Sequence, residues 1–214
     1  MVPIKIVFFD CDGTLTRVKS SWEYLHRRLN LWDNHADMYQ NLFKEGRIDY
    51  HEFCKQDALL WQGLSISRVM ETIQEIPYQD GAGEAIDTIK GLGIFTVIIS
   101  TGLSFLVEKV KSDLGIHTAL SNELLAEDGR LTGGTKINVE YNNKGCIVEG
   151  MLKSMEIKRG EACAVGDGDG DMGMFEAVGL PIGFNPHPEI LPLLDHAIHG
   201  NSLLPLVDII KNHG

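Results

Sequence analysis

Apolar residues along the chain form two patterns, short continuous runs and helical stripes, and the two patterns alternate. The continuous runs predict buried strands at Lys5–Asp10, Ile94–Ser100, Ala162–Val165 and Leu180–Phe184. The stripes predict helices at Ala82–Leu92, Phe105–Leu114, Gly145–Met155 and Met172–Val178. Residues 120–140 are typical of a hairpin that turns at Asp128-Gly129. Strands without polar alternation, separated by helices, indicate an α/β fold whose parallel sheet is covered on both faces.

Residues 16–77 differ from the rest of the chain in composition. They hold all three tryptophans but only two of the 23 glycines. Helical spacing predicts one helix after Ser20, a second after Asp49 and a third that ends before Pro77. We therefore expect a small helical domain at 16–77. It would be inserted after the first strand of a core that residues 1–15 and 78–214 form.

Composition and charge narrow the class of partner. The 214 residues are 43% hydrophobic and 23% charged, as in a folded globular protein, and the formal net charge is −11. Such an acidic chain is poorly suited to nucleic acid or to an anionic membrane surface. No apolar run approaches the length of a membrane span, and the first residues lack a signal-peptide pattern. The four cysteines are scattered, so we expect free thiols and a cytoplasmic protein.

Acidic residues concentrate where two of the predicted parallel strands end. Asp10 ends the first strand and Asp12 comes two residues later, whereas Asp167, Asp169 and Asp171 follow the third strand. Open α/β sheets bind ligands at this edge. Carboxylates at such a density raise one another's pKa values, and a hard cation such as Mg²⁺ relieves the repulsion. We expect Asp169 to be an exposed loop residue rather than a metal ligand.

Phosphate-binding groups are predicted at the same edge. Ser100-Thr101-Gly102 closes another strand, and its hydroxyl and amides are potential donors to phosphate oxygens. Lys144 begins the helix after the hairpin and adds a positive charge. A metal, amide donors and a cation around one phosphate are the components of a phosphoryl-transfer site.

The spacing of the first two aspartates supplies the reactive groups. Residues two apart in extended chain point to the same side, so Asp10 and Asp12 can face one pocket. Asp10, ionised at neutral pH, is a candidate nucleophile that would form an aspartyl phosphate. Asp12 is a candidate acid and base, which would protonate the leaving oxygen and then activate water.

These residues together resemble the four motifs of the haloacid dehalogenase-like (HAD) hydrolase superfamily. The motifs are, in order, Asp10-Cys11-Asp12-Gly13-Thr14, Ser100-Thr101-Gly102, Lys144 and Gly166-Asp167-Gly168-Asp169-Gly170-Asp171. The helical insert resembles the C1-type cap of that superfamily. The segments Glu45-Gly46-Arg47-Ile48, Leu131-Thr132-Gly133 and Gly166–Phe175 look like the phosphoserine phosphatase family.

The resemblance implies a Rossmann-like core, an Mg²⁺ cofactor and hydrolysis of a small phosphorylated metabolite. By position it makes Asp10 the nucleophile and Asp12 the acid and base. It implies a metal site formed by Asp10, the Asp12 carbonyl and Asp167, with Asp171 beside them. Ser100 and Lys144 would hold the phosphate.

The chain departs from the phosphoserine phosphatase pattern at three positions. Lys19 stands where that family usually has the Glu that meets the serine amine, and Asp57 lies near the position of its carboxylate-binding Arg. Gly170 replaces an Asn before the last motif aspartate. We expect Lys19 and Gly170 to lie at the substrate. Lys19 or Arg17 over the pocket would suit a substrate with extra negative charge.

Other functions remain compatible with these residues. One alternative is a phosphatase for another small phosphorylated acid, and another is a phosphotransferase that passes the phosphoryl group to an acceptor alcohol. A weaker alternative is a non-catalytic protein that binds a phosphorylated ligand. It is weaker because a binding protein has no use for the attacking carboxylate of Asp10.

Overall fold

The computed structural model describes residues 3–31 and 34–213. Trp32, one of the tryptophans predicted in the insert, lies outside them. Within the described residues seven strands form one sheet in the order β4-β3-β2-β1-β5-β6-β7, and every neighbouring pair is parallel except β3 and β4. The strands are β1 (Ile6–Phe9), β2 (Phe95–Leu103), β3 (Thr118–Glu127), β4 (Arg130–Lys136), β5 (Ala162–Gly166), β6 (Leu180–Phe184) and β7 (His196–Ile198). The predicted α/β fold is confirmed.

Helices cover both faces of the sheet, as the apolar runs predicted. In β1, Ile6 and Phe8 belong to one hydrophobic cluster while Val7 and Phe9 belong to another, and all four side chains are fully buried. The described helices are α1 (Ser21–Arg28), α2 (Asn34–Lys44), α3 (Tyr50–Leu59), α4 (Ile66–Gln74), α5 (Ala82–Gly91), α6 (Ser104–Leu114), α7 (Lys144–Ser154), α8 (Met172–Glu176) and α9 (Pro205–His213). None of them is long and apolar enough to cross a bilayer.

Local signals set several boundaries where the sequence predicted them. The side chain of Ser20 accepts a hydrogen bond from the Glu23 amide and begins α1. Gly115 ends α6 in the left-handed conformation, with φ of 63°. Asp128 and Gly129 both have positive φ and join β3 to the antiparallel β4. The predicted hairpin is therefore confirmed.

Four elements differ from the sequence prediction. Helices α2 and α9 were not predicted. Each side chain described in α2 keeps some solvent exposure, whereas α9 begins at Pro205 and buries an apolar face. Strand β2 continues past Ser100 to Leu103, and α8 begins at Met172 as predicted but ends at Glu176 instead of Val178.

Four described helices, α1 to α4, lie between β1 and α5 where three were predicted. The two connections to this segment run side by side, because Thr16 bridges Tyr78 and the Arg17 amide donates to the Pro77 carbonyl over 3.0 Å. Trp61 of the segment is fully buried in the same hydrophobic cluster as the sheet. A separate cap domain at 16–77 stays a prediction.

The order of the strands in the sheet indicates where a ligand site lies. Strand β1 pairs with β2 on one side and β5 on the other, so the chain reverses its direction of winding at β1. In open parallel sheets, ligands bind outside the carboxyl ends of the strands at this point. The residues that follow β1 and β5, and those that end β2, meet there.

Candidate active site

A cavity of about 270 Å³ lies over the carboxyl ends of β1, β2 and β5. It brings together residues that are far apart in sequence and that the sequence predicted as one site. Those that line it are Asp10, Asp12, Lys19, Thr101, Gly102, Lys144, Asp167, Gly170 and Asp171. Helices of the insert form the opposite wall, and Trp22, Phe43 and Tyr50 line it there.

Lys144 is the buried cation of the site. Its Nζ donates to Asp10 Oδ1 and to Asp171 Oδ1, each over 2.6 Å, and the residue is only 2% exposed. Burial alone would lower the pKa of Lys144. Attraction to the carboxylates of Asp10 and Asp171 outweighs burial and holds the pKa above its ordinary value, so Lys144 is positively charged.

Three carboxylates converge beside Lys144. One oxygen each of Asp10, Asp167 and Asp171 lies within 4.8 Å of the others. Burial raises the pKa values of Asp10 and Asp167 above their ordinary values, and the neighbouring carboxylates raise them further, against the opposing effect of nearby lysines. Clustered oxygen donors of this kind fit a hard divalent cation such as Mg²⁺.

Asp12 faces the cavity in a different environment. Its Oδ2 accepts hydrogen bonds from the amide and the hydroxyl of Ser21, both over 2.7 Å. Its Oδ1 is buried without a hydrogen-bond partner among the described residues. Burial raises the pKa of Asp12 to about 6, although the bonds from Ser21 oppose that shift. The carboxyl group can therefore release and take up a proton near neutral pH.

The segment Ser100-Thr101-Gly102 differs in detail from the predicted turn, because it is the irregular end of β2. The Gly102 amide, one of the expected phosphate donors, is already engaged, because it donates a hydrogen bond to Ser100 Oγ over 3.0 Å. A Cβ at Gly102 would lie 2.8 Å from Asp12 Oδ2 and 2.8 Å from Ser21 Oγ. Glycine is thus required for the close approach of these groups.

The three residues that depart from the phosphoserine phosphatase pattern all line the cavity. Lys19 Nζ donates to Asp167 Oδ2 over 2.5 Å. Gly170 follows Asp169, which is exposed, as expected. Asp57 is buried, and its Oδ1 lies 3.5 Å from His26 Nε2.

Arg17, the other cation expected over the pocket, pairs instead with Asp80 on an exposed surface. It is absent from the described residues that line the cavity. Lys19 is therefore the nearer candidate for contact with substrate.

Sequence reasoning missed several polar groups that support the site. The Thr101 carbonyl accepts hydrogen bonds from Trp22 Nε1, Tyr50 OH and Asn122 Nδ2, each over 3.1 Å. Tyr141 OH donates to Asp169 Oδ1 over 2.5 Å. Only Trp22 had a sequence signal, its position soon after the first motif. The others come from separate elements and are brought together by tertiary packing.

Comparison with known proteins decides the family. Residues 7–176 match the model of the haloacid dehalogenase-like hydrolases, which is more than half of the chain. The chain belongs to the haloacid dehalogenase-like hydrolase family. The predicted family, and the predicted α/β fold with its Rossmann-like sheet, are both confirmed.

Relatives and solved structures of this family cover nearly the whole chain. Phosphoserine phosphatase of Methanocaldococcus jannaschii is 30% identical over 208 residues, which are 97% of this chain and 98% of that protein. A structure described as a phospho-aspartyl intermediate analogue of phosphoserine phosphatase is 30% identical, with a TM-score of 0.85 over 98% of this chain and all (100%) of that one. A substrate-bound phosphoserine phosphatase is 29% identical, with a TM-score of 0.85 over 99% of this chain and 100% of that one. The predicted resemblance to phosphoserine phosphatases, and with it an enzyme of the phosphatase class, is confirmed.

Proposed function

We propose that the protein hydrolyses a small phosphomonoester with Mg²⁺, through a phosphoryl group carried transiently on Asp10. The supporting observation is the buried contact of 2.6 Å between Asp10 Oδ1 and Lys144 Nζ on the cavity wall. It holds a carboxylate where its other oxygen can approach phosphorus, beside a cation that can contact the same phosphate. The relatives named phosphoserine phosphatase support the same reaction class.

The reaction takes place in two displacements. In the first, a carboxylate oxygen of Asp10 attacks phosphorus, the bond from phosphorus to the ester oxygen breaks, and Asp12 gives its proton to the departing alcohol. In the second, water attacks phosphorus while Asp12 takes a proton from it. The bond between Asp10 and phosphorus then breaks, and inorganic phosphate leaves. Asp12 ends protonated and Asp10 ends as a carboxylate, as they began.

Asp10, the Asp12 carbonyl and Asp167 would hold the magnesium ion, with Asp171 next to them. The bound ion would neutralise negative charge on the phosphate and on the carboxylates. Asp171 accepts hydrogen bonds at Oδ2 from the amides of Asp167 and Gly168, over 3.0 and 3.2 Å, so it also shapes this loop. The converging carboxylates described above support this assignment.

The phosphate itself would lie against Lys144, Ser100, Thr101 and Gly102. Lys19 would contribute a further positive charge, and Gly170 would leave room at the acidic loop. The insert at 16–77 would act as a cap that excludes bulk water during transfer and opens to release products. We place the enzyme in the cytoplasm, acting on a small phosphorylated metabolite and not on nucleic acid or membrane.

The test is release of phosphate from a panel of small phosphomonoesters, with Mg²⁺ and with a chelator. We expect release that depends on the metal. Treatment with borohydride during turnover should label Asp10, which mass spectrometry of the peptide would locate. Supplying acceptor alcohols separates a phosphotransferase, which would yield transfer products. Absence of phosphate release and of transfer across the whole panel would contradict the proposal and favour a binding protein.

A further inference from the structure

Aromatic side chains form the wall of the cavity on the insert side, and we call this surface the aromatic wall. Phe43, Tyr50, Phe53 and Tyr141 line the cavity and pack on one another. The centroid of Phe43 lies 5.2 Å from Phe53 in a stacked arrangement, 5.7 Å from Tyr50 and 5.4 Å from Tyr141. Trp22 lines the same cavity and stacks on Trp61 behind it, with centroids 5.4 Å apart. The alcohol portion of a substrate would therefore face aromatic carbon.

Two of these rings are held in fixed orientations. Trp22 Nε1 and Tyr50 OH each donate to the Thr101 carbonyl over 3.1 Å, and Asn122 Nδ2 also reaches the Tyr50 hydroxyl over 3.2 Å. Neither ring can turn without breaking a part-buried hydrogen bond. Asn122 is itself fully buried, so the anchor is rigid. The aromatic wall is thus organised before a ligand binds, which reduces the entropy lost on binding.

A buried carboxylate accompanies the rings. Asp57 lines the cavity and is 4% exposed. The other acidic residue of the insert at the cavity, Glu23, is 38% exposed and pairs with Arg27 over 2.6 Å. Solvent screens the charge of Glu23 much more than that of Asp57. Asp57 therefore dominates the electrostatic character of this wall.

Lysines at the described cavity wall do not pair with Asp57, whose Oδ1 lies 3.5 Å from Nε2 of the buried His26. Lys144 is engaged by Asp10 and Asp171, and Lys19 by Asp167, all at the phosphate end. Lys44 lines the cavity from the end of α2, but its side chain is exposed to solvent. A carboxylate on the substrate would meet a buried negative charge here, which is unfavourable.

We propose that the substrate is the phosphomonoester of an amino alcohol, with an ammonium group seated against the aromatic wall and Asp57 and with no carboxylate. Cations bind the faces of aromatic rings, and a nearby carboxylate strengthens that attraction when water is excluded. Phosphoethanolamine and phosphocholine represent the class. This inference rests on the proposed function, because it concerns the leaving group of the same reaction.

The test compares substrates that differ only in charge. Phosphocholine and neohexyl phosphate have the same shape, but a carbon atom replaces the charged nitrogen in the second. We expect kcat/KM for phosphocholine to exceed that for neohexyl phosphate by about tenfold, the scale of a desolvated cation–π contact. We also expect phosphoethanolamine to exceed phosphoserine, from which it differs by one carboxylate.

Two variants test whether the aromatic wall and Asp57 cause the preference for the charged substrate. Asp57→Asn removes the buried charge, and Phe53→Leu removes a ring while keeping an apolar side chain. Each should reduce the ratio of kcat/KM for phosphocholine over neohexyl phosphate. The matched control Asp87→Asn, at an exposed position on α5, should leave that ratio unchanged. If Asp57→Asn does not fold, Phe53→Leu and the comparison of substrates with the wild-type enzyme still test the proposal.

The outcomes separate this inference from the proposed function. Hydrolysis of p-nitrophenyl phosphate with equal or higher kcat/KM for neohexyl phosphate than for phosphocholine would overturn the inference and leave the phosphatase assignment intact. A preference for phosphoserine over phosphoethanolamine would do the same. Failure to hydrolyse p-nitrophenyl phosphate and every other ester in the presence of Mg²⁺ would instead refute the proposed function.

Discussion

Asp10 Oδ1 and Lys144 Nζ lie 2.6 Å apart, although 134 positions separate the two residues in the chain. Asp10 directly follows the central strand β1, and Lys144 is the first residue of α7. The pair is buried, so the contact forms only when the sheet and α7 have packed together. The proposed nucleophile and the proposed phosphate-binding cation therefore depend on one tertiary contact.

Replacement of Asp10 by Asn should abolish turnover. The amide keeps the size of the side chain but is a very poor nucleophile, so we expect kcat to fall by at least about 10³-fold. Circular dichroism should show an intact fold, because an amide oxygen can still accept from Lys144. Asp208→Asn, at an exposed position of α9, is the matched control and should retain full activity. Substantial hydrolysis by Asp10→Asn would rule out this carboxylate as the nucleophile.

Replacement of Lys144 by Met should destabilise the metal-free protein. Asp10 and Asp171 would lose their buried partner, which costs about 3–5 kcal/mol of unfolding free energy. Lys136→Met breaks an exposed pair with Glu123 and should cost less than about 1 kcal/mol. Urea unfolding in the presence of a chelator measures both. Equal losses in the two variants would mean that the buried contacts of Lys144 contribute no more than a surface pair.

Asp12 should make the stability of the metal-free protein depend on pH. Its pKa is raised by burial from 3.8 to about 6, so the folded state binds this proton more tightly than the unfolded state does. The stability that Asp12 contributes is present below pH 4 and is lost as pH rises through 6. Asp12→Asn should therefore gain up to about 3 kcal/mol relative to wild type between pH 4 and pH 7.

An exposed aspartate provides a control of opposite sign. Hydrogen bonds from Tyr78 and Lys109 lower the pKa of Asp113, so its contribution is present above its ordinary pKa and lost on acidification. Asp113→Asn should thus lose stability relative to wild type as pH rises from about 2 to about 4, and the difference should stay nearly constant from there to pH 7. Unfolding curves of the three proteins from about pH 2 to pH 7 test both signs. A pH-independent difference between Asp12→Asn and wild type would contradict the raised pKa of Asp12.

Replacement of two glycines of α7 by alanine should change the stability of the protein in opposite directions. A Cβ at Gly145 would lie 2.6 Å from the Gly173 carbonyl oxygen, so Gly145→Ala must push α7 away from α8 and should cost about 1–3 kcal/mol. A Cβ at Gly150 meets nothing within 4 Å, and Gly150→Ala should stabilise by about 0.5–1 kcal/mol.

Because Gly145 adjoins Lys144, Gly145→Ala should also lower kcat, whereas Gly150→Ala should not. Thermal unfolding together with a phosphate-release assay measures both effects. If Gly145→Ala were as stable and active as wild type, the close packing of α7 on α8 would not position Lys144.

Local signals explain why much of the fold could be predicted. Continuous apolar runs at Ile6–Phe9 and Leu180–Phe184 are typical of strands buried on both faces, and a glycine in the left-handed conformation ended α6 as expected. Helix α2 was not predicted although Met38 and Leu42 stand at helical spacing; its described side chains all keep some exposure, so these residues do not mark a fully buried face. The end of β2 was misjudged because its last residue, Leu103, stays in the sheet by pairing with Asn122 of β3, a contact that the sequence does not show.

Periodicity and residue chemistry, both of which are local, were enough to predict the class of fold, most of its strands and helices, and the acidic and basic residues proposed for phosphoryl transfer. The contact of Lys19 with Asp167, the hydrogen bonds from Ser21 to Asp12 and the anchoring of two rings of the insert at the Thr101 carbonyl are visible only in the folded protein. Such contacts join elements far apart in the chain, and their geometry depends on how whole helices and strands pack.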